Sequence, residues 1–580
     1  MNVASFQRYI RTLRHLRVSQ WWHQLLHRLP AWQPTLPLSN TISLRPGTLP
    51  IHRMAIPPSN HRAAAFTFLH REKVFDLGRI EWANTDMPKL WRYNLHYFDY
   101  LQDSRRSIEN KAYLVSDWIE HNPQGTVDAW EPYTASLRIV NWVKLFLSLS
   151  PASLGLNPLE EGSPKGEWHV GLKIEWLKSL YSQALWLEQN IEYHILANHY
   201  MKNGVALFFA GAYFQGVDAD RWLKKGVQIL REELDEQFLA DDGHFERSPM
   251  YHSICVTDYL DVLNLARQSQ GVMSQEDQAK FAQKITTSLN FLSDICLPDN
   301  EIPLFNDSAF GIAPTPRQIF DYAQKVIGYE PPVRPSSLTT HSHAASGYFV
   351  CRNGDDAIII DCGSIGPDYQ PGHAHCDTLS FELAIEGRRV VVDSGVHDYE
   401  PSPERAYARS TKAHNTVAVD GEEQSEIWGV FRVARRARPL EARIERRPDG
   451  SVWFTGAHDG YRRLRGRPIH TRSIAYDGKE TWIIEDRLEG NGSHRMESYL
   501  HIHPDYRVEK NGASFHITET NGKTIAMIEA LEANEVRMER GSYFPEFGRR
   551  YENDVMVFIC SGTIPLTLSY RIRKQPTQSC

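Results

Sequence analysis

The feature that most constrains this chain is a change of hydrophobic period near residue 330. From about 90 to 330 apolar residues recur at every third or fourth position, as in Leu137, Val140, Val143 and Leu147, or Trp176, Leu180, Ala184 and Leu187. That spacing lines one face of an α-helix. Helices are predicted over 200–214, 220–238, 253–268 and 275–297, most of them bounded by Gly, Pro or Asp-rich breaks. Helices in succession with no strand pattern between them predict hairpins stacked into an array or a closed ring. The stretch 329–338, with Pro331, Pro332 and Pro335, reads as a linker. Beyond it the period becomes two. Short strands are predicted at 347–352, 357–362, 380–385, 388–393, 416–420, 469–476, 481–487, 498–503 and 555–560, with turns such as Asp477-Gly478 between some of them. Such a run predicts an antiparallel β-sandwich. The expected class is therefore α+β and multidomain: an extension over 1–89 packed on the helical half, a helical domain over 90–330, a linker over 331–340 and a β-domain over 341–580.

Composition narrows the function. The 580 residues carry 64 Lys+Arg against 71 Asp+Glu, a formal charge of −7, so no global basic field favours nucleic acid as a partner. No apolar run reaches the length of a membrane span. The first 30 residues lack the continuous apolar core of a secretory signal, so a cytoplasmic location is expected on sequence, with a periplasmic or secreted one left open. Their Arg-studded helical pattern suits either a helix packed on the body or a peripheral membrane anchor. Seven cysteines without CxxC pairs argue against a disulfide framework.

Four polar groups stand out. Gly372-His373-Ala374-His375-Cys376-Asp377 is followed by Asp393-Ser394-Gly395 and Ala413-His414-Asn415. In an extended segment His373 and His375 point to one side, so one can hold a metal while the other faces a substrate. Two His and one Asp form a donor set suited to Zn²⁺, and ordinary core histidines are the competing reading. In Ala197-Asn198-His199 the two polar side chains lie about 100° apart on a helix; Asn198 either bonds a neighbouring loop or holds a substrate. In 242–252 a Gly-marked turn leads through Pro249 into a helix, displaying Glu246, Tyr251 and His252 at a mouth, or serving as cap and core. Trp130, beside Glu131 and ahead of Arg138, is a sugar platform or a corner of the core.

Together these segments resemble the heparinase II/III-like polysaccharide lyases, a family that includes oligoalginate lyases. The likeness runs from Leu90-Trp91-Arg92-Tyr93-Asn94-Leu95-His96-Tyr97 through Ala197-Asn198-His199 and Glu246-Arg247-Ser248-Pro249-Met250-Tyr251-His252 to the HxH segment, Asp393-Ser394-Gly395 and Ala413-His414-Asn415-Thr416. The resemblance implies an incomplete (α/α) toroid followed by an antiparallel β-sandwich, with the active site in the cleft between them. It implies that Asn198 neutralises a uronate carboxylate with His199 as helper, that Tyr251 supplies the leaving-group proton and that His373 is the partner base. Trp130, Glu131, Arg138, Glu246 and Tyr407, the last a second tyrosine near the cleft, are expected to bind substrate. Zinc is implied on His375, Asp393 and His414, in a structural role that aims His373.

The expected activity is thus β-elimination on a uronate-containing acidic polysaccharide, an elimination made feasible when donors stabilise the charge that develops on the carboxylate. Two other readings stand beside it. A toroid-type glycoside hydrolase would need paired carboxylates, such as Glu131 with Glu246 or Asp242. A non-catalytic or biosynthetic carbohydrate-binding protein of an exopolysaccharide pathway would keep the cleft without turnover. The basic run Arg432, Arg435, Arg436, Arg438 and Arg443, with Arg462, Arg463, Arg465 and Arg467, is read as a wall for an anionic polymer or as solvated strand edges. A homo-oligomer is compatible with this composition.

Overall fold

The computed structural model describes residues 3–27, 42–48, 50–54, 64–149 and 172–575. The period-3.6 half forms helices Lys89–Tyr97, Ile108–His121, Pro132–Leu149, Ile174–Gln189, Ala197–Tyr213, Val217–Gln237, Pro249–Gln268, Gln275–Ile295 and Pro316–Ile327. Ala197–Tyr213 is apolar on nearly every side and buried along almost its whole length, as a helix surrounded by others must be. It packs against Pro132–Leu149, Ile174–Gln189, Val217–Gln237 and Pro249–Gln268. Its partner Val217–Gln237 approaches so closely that a Cβ at Gly211 would lie 2.5 Å from the Leu223 nitrogen, and one at Gly226 2.6 Å from that of Phe208. The apolar stripes of these helices meet in one large core containing Trp91, Trp118, Trp142, Trp176 and Trp222, and the helices build the toroid.

The second half is the β-sandwich. Five strands, Thr339–His343, Tyr348–Asn353, Asp356–Asp361, Phe381–Ile385 and Arg388–Val391, form an antiparallel sheet in chain order. A bridge between Val391 and Ile502 joins it to a four-stranded sheet of Val417–Val419, Ser493–His501, Tyr551–Thr563 and Glu535–Tyr543. Facing these lies an eight-stranded sheet, ordered Pro439–Arg446, Val452–His458, Ile469–Tyr476, Thr481–Glu489, Leu566–Lys574, Thr524–Glu532, Ser514–Glu519 and Tyr506–Asn511. One face of the five-stranded sheet packs on the eight-stranded one through Phe349, Ile358, Ile360, Phe454 and Ile474. Its other face packs on the toroid, where Tyr348, Val350 and Ile359 meet Phe291, Ile295 and Phe305. Burial on both faces explains why Asp356–Asp361 reads as a continuous apolar run rather than an alternation.

The strands predicted from period two are present, within a few residues at their ends. The β-half begins at Thr339, inside the expected linker. The N-terminal extension departs from expectation. Helix Val3–Leu13 docks on the sandwich, Arg8 and Arg11 reaching Glu426 at 3.3 and 3.4 Å and Trp428 donating to Thr12 at 3.0 Å. Helix Val18–His27 bridges both halves, since Gln20 donates to the carbonyls of Ile195 and Tyr369. The short hairpin Ala65–Phe68 and Arg71–Val74 does pack on the toroid, through Trp91 and Tyr100. Among the described residues six cysteines are free and buried, and no helix is long and apolar enough to cross a membrane.

Candidate active site between toroid and sandwich

Tyr251 is placed by its own local sequence. Ser248 caps helix Pro249–Gln268 by accepting the Tyr251 N–H at 3.2 Å, and Pro249 supplies the pre-set φ of a first helical residue. Tyr251 therefore sits in the first turn, at the end of the helix that faces the sandwich. The Ser248 hydroxyl donates to the Asp307 carbonyl at 2.6 Å, fixing that end to the 303–308 loop. Asn198 and His199 likewise occupy the first turn of Ala197–Tyr213, entered through Leu196 and Ala197 at φ 67° and 54°. Arg247 has φ 57°. Left-handed conformations at non-glycine residues cost of order 1–3 kcal/mol each, and they persist where surrounding packing enforces a functional geometry.

Across the cleft, the His373 ring stacks on Tyr251 with centroids 3.9 Å apart and planes 15° from parallel. Its Nδ1 is paired with the buried Glu246 carboxylate, leaving Nε2 as the free nitrogen. Burial pushes Glu246 upward, but the charges of His373 and its hydrogen bond more than offset this, so the carboxyl lies below its usual range. The Tyr251 hydroxyl lies 3.2 Å from that of Tyr399. Burial, reinforced by Tyr399, raises Tyr251 well above a normal phenol, so it holds its proton. His199 is paired with Glu192 at 3.0 Å and packs against Tyr133, the rings tilted by 41° with centroids 4.4 Å apart. Burial lowers its pKa, and the Glu192 charge more than restores it, leaving His199 above an ordinary imidazole. The Asn198 side chain is buried, and its amide makes no hydrogen bond among the described residues. A phenol, a carboxylate-backed imidazole and a second phenol thus converge from the two halves, and the Asn198 amide lies in the first turn of Ala197–Tyr213, a helix packed on the one that carries Tyr251.

The HxH segment is held by residues that sequence reasoning missed. Asp307 accepts from His375 Nε2 at 2.8 Å and forms a bidentate pair with Arg405. Asn306 accepts the His375 N–H at 3.0 Å and donates to the Arg247 carbonyl at 3.0 Å. The signal was present as Phe305-Asn306-Asp307-Ser308, a polar run between apolar residues. On the other side Asp393 takes His414 Nδ1 at 2.8 Å. This leaves His375 Nδ1 and His414 Nε2 buried without partners. His375, His414 and Asp377 bring ligand atoms within 4.8 Å of one another. Burial, partly opposed by Asp307, lowers His375 to about 4, keeping it neutral as a ligand must be. Burial also pushes Asp377 up to about 6. The residues fit a metal: two orphaned imidazole nitrogens, a carboxylate, and a second carboxylate behind each histidine. The grouping differs from the expected set in one residue. Asp377 stands with the two histidines, whereas Asp393 backs His414.

The expected substrate contacts divide. Glu246 is at the site as His373's partner. Trp130 is not a platform: it is buried against Trp118 and Trp186, and its indole N–H is bound to the Asn122 carbonyl at 3.0 Å. Arg138 is fully buried in the same core, bonded to Gln183 at 2.8 Å and Ala129 at 2.7 Å. Trp130 thus takes the core alternative, and Arg138 departs from its expected role, because an aromatic or cation within a helical pattern looks the same from sequence whether it faces core or cleft. Glu131 is part-exposed but held by Tyr93 and by Lys89 at 3.2 Å. Tyr407 packs on Phe544 and meets the Ser542 N–H at 3.4 Å; the tyrosine beside Tyr251 is Tyr399. Of the arginine run, Arg436 and Arg438 pair with Asp368 and Arg463 binds backbone carbonyls, whereas Arg432, Arg435, Arg443, Arg462, Arg465 and Arg467 are exposed.

The heparinase II/III N-terminus family matches residues 60–325, and the heparinase II/III-like C-terminal family matches 337–576. A heparin-sulfate lyase of Pedobacter heparinus is 24% identical over 474 residues, covering 77% of this chain and 66% of that protein. FtsZ-localized protein C of Caulobacter vibrioides is 26% identical over 343 residues, 54% of this chain and 55% of that one. The chain thus spans less than two thirds of the length of these curated relatives. Among solved structures, heparinase III superposes with a TM-score of 0.67 at 19% identity, covering 87% of this chain and 80% of that one. The matched regions meet at the same 326–336 stretch where the hydrophobic period changes, one covering the toroid and the other the sandwich, and on this ground the chain belongs to the heparinase II/III family.

Proposed function

We propose that this protein is a polysaccharide lyase that cleaves a uronate-containing acidic polysaccharide by β-elimination in the cleft between toroid and sandwich. The observation that carries this reading is the Tyr251–His373 stack, backed by Glu246 and flanked by Tyr399. The proton at C5 of a uronate is too weakly acidic to remove until charge on the neighbouring carboxylate is stabilised. In this reading the Asn198 amide donates to that carboxylate, with His199, held by Glu192, as a second donor; this is the role of a preorganised oxyanion donor. His373 Nε2, with Nδ1 held by Glu246, takes the C5 proton. Tyr251, kept protonated by burial, gives its proton to the departing C4 oxygen as the C4–O bond breaks. Tyr399 orients the Tyr251 hydroxyl.

A metal, zinc by its donor set, is proposed on His375, His414 and Asp377, with Asp307 and Asp393 orienting the histidines. When bound, it would supply a fixed positive centre that rigidifies the HxH segment. His373 lies two residues before His375 in the turn segment that the metal would pin, and would be aimed through it.

The test follows ultraviolet absorbance while purified protein is incubated with heparan-, alginate- and other uronate-type polymers. Elimination creates a conjugated 4,5-unsaturated uronate, and hydrolysis does not. A rise that Tyr251→Phe and Asn198→Ala abolish is the expected result. Binding without any rise across the panel would overturn the lyase reading. It would favour the carbohydrate-binding alternative.

A further inference from the structure

We propose a second metal site, for a divalent transition cation of the zinc type, formed by Asp294, His341 and His343 at the seam between toroid and sandwich. Asp294 lies in the last turn of helix Gln275–Ile295, and the two histidines lie on strand Thr339–His343, the first strand after the linker. Residues two apart on a strand project to the same side. Their rings are near-parallel, 13° apart with centroids at 6.3 Å. His341 Nδ1 and His343 Nε2 converge on a single carboxylate oxygen, Asp294 Oδ2, at 3.1 and 3.3 Å. One ligand atom from each residue lies within 4.8 Å of the others.

Two points favour coordination over an ion pair. His343 Nε2 is buried and has no hydrogen-bond partner, although it sits 3.3 Å from the carboxylate oxygen. Moreover, ligand atoms bound to zinc at ~2.0–2.1 Å in tetrahedral array lie about 3.3 Å apart, which matches both nitrogen–oxygen separations. The surroundings are preformed. Phe291 stacks edge-on against His343 at 4.7 Å, Arg352 donates to the Asp294 carbonyl at 2.7 Å, and the His343 carbonyl accepts the Gly347 N–H at 2.7 Å. Thr339–His343 is an edge strand of its sheet, and the three side chains are 13–35% exposed. A cation can therefore enter from solvent, and a water can complete the shell. Two His and one carboxylate suit zinc rather than calcium or magnesium. Its function would be mechanical: a bond between the last turn of a toroid helix and the first strand of the sandwich, which holds the two walls of the cleft in register.

The test uses the full chain, stripped with a chelator and dialysed against micromolar zinc. The double variant His341→Ala/His343→Ala is expected to bind about one equivalent less than wild type, with unchanged circular dichroism and a lower melting temperature only when zinc is present. Crystals of wild type grown at the same zinc level should show an anomalous peak among the three side chains. This second readout decides the matter if the double variant fails to fold. Unchanged zinc content in the variant, or no anomalous peak at this position, would overturn the proposal and leave an ordinary ion pair.

Discussion

Tyr251 and Tyr399 share a hydroxyl contact of 3.2 Å, whereas Tyr407 packs against Phe544. Tyr399→Phe should therefore slow elimination by roughly 10-fold or more, and Tyr251→Phe by about 10²–10⁴-fold, while Tyr407→Phe should leave initial rates unchanged. A rate loss at Tyr407 equal to that at Tyr399 would contradict the assignment. Glu233 offers a pH-linked test away from the cleft. It is buried in helix Val217–Gln237 beside Gln237, and burial pushes its carboxyl up to about 8. Because the folded value lies above the unfolded one of about 4.3, the fold favours the protonated form. Its contribution is fully present below about pH 4 and is lost as pH rises through about 8. Glu233→Gln keeps the shape without the charge. Its melting temperature should match wild type near pH 4.5 and exceed it increasingly toward pH 9; parallel curves would refute the argument.

Among the elements, the turn after strand Arg388–Val391 is tightly constrained. Gly395 has φ 70°, and a Cβ there would lie 2.4 Å from the Phe544 carbonyl oxygen. The Gly395 N–H also approaches Asp393 Oδ1 at 3.2 Å. The Asp-Ser-Gly sequence is thus a turn that aims Asp393 at His414. Gly395→Ala should cost about 1–3 kcal/mol, read by urea unfolding, and should weaken retention of the metal proposed at the His375–His414 group. Full retention with intact stability would show that the turn has slack.

For the whole molecule, the seam is the decisive surface. Arg389, buried at the toroid contact, binds Asp299 at 2.6 Å, Glu382 at 2.9 Å and the Ile302 carbonyl at 2.8 Å. Removing it strands Glu382 in the interior without its cation. Arg389→Met should then destabilise by about 3–5 kcal/mol and reduce activity without touching a catalytic group; a change under about 1 kcal/mol would mean that the seam relaxes around the loss.

The sequence by itself determined the two-part architecture, because a period of 3.6 and a period of 2 bury different faces and cannot be exchanged. It also determined the placement of Tyr251, since Ser248 and Pro249 start the helix locally, and it flagged the HxH histidines by their unusual density. It was weaker where burial is set by distant chain. Strands such as Tyr506–Asn511 and Glu535–Tyr543 lie at sheet edges and are largely polar over much of their length, so their pattern is faint. Trp130 and Arg138 carry site-like chemistry but face a core that only helix packing defines. Tyr399, Asn306 and Asp307 gain their roles from neighbours up to about 150 residues away. Only the tertiary structure decided which tyrosine meets Tyr251, which carboxylate backs which histidine, and that Asp294 meets His341 and His343. All but Asp393–His414, which lies within the sandwich half, are contacts between the two halves, and local propensity carries no information about partners brought together by folding.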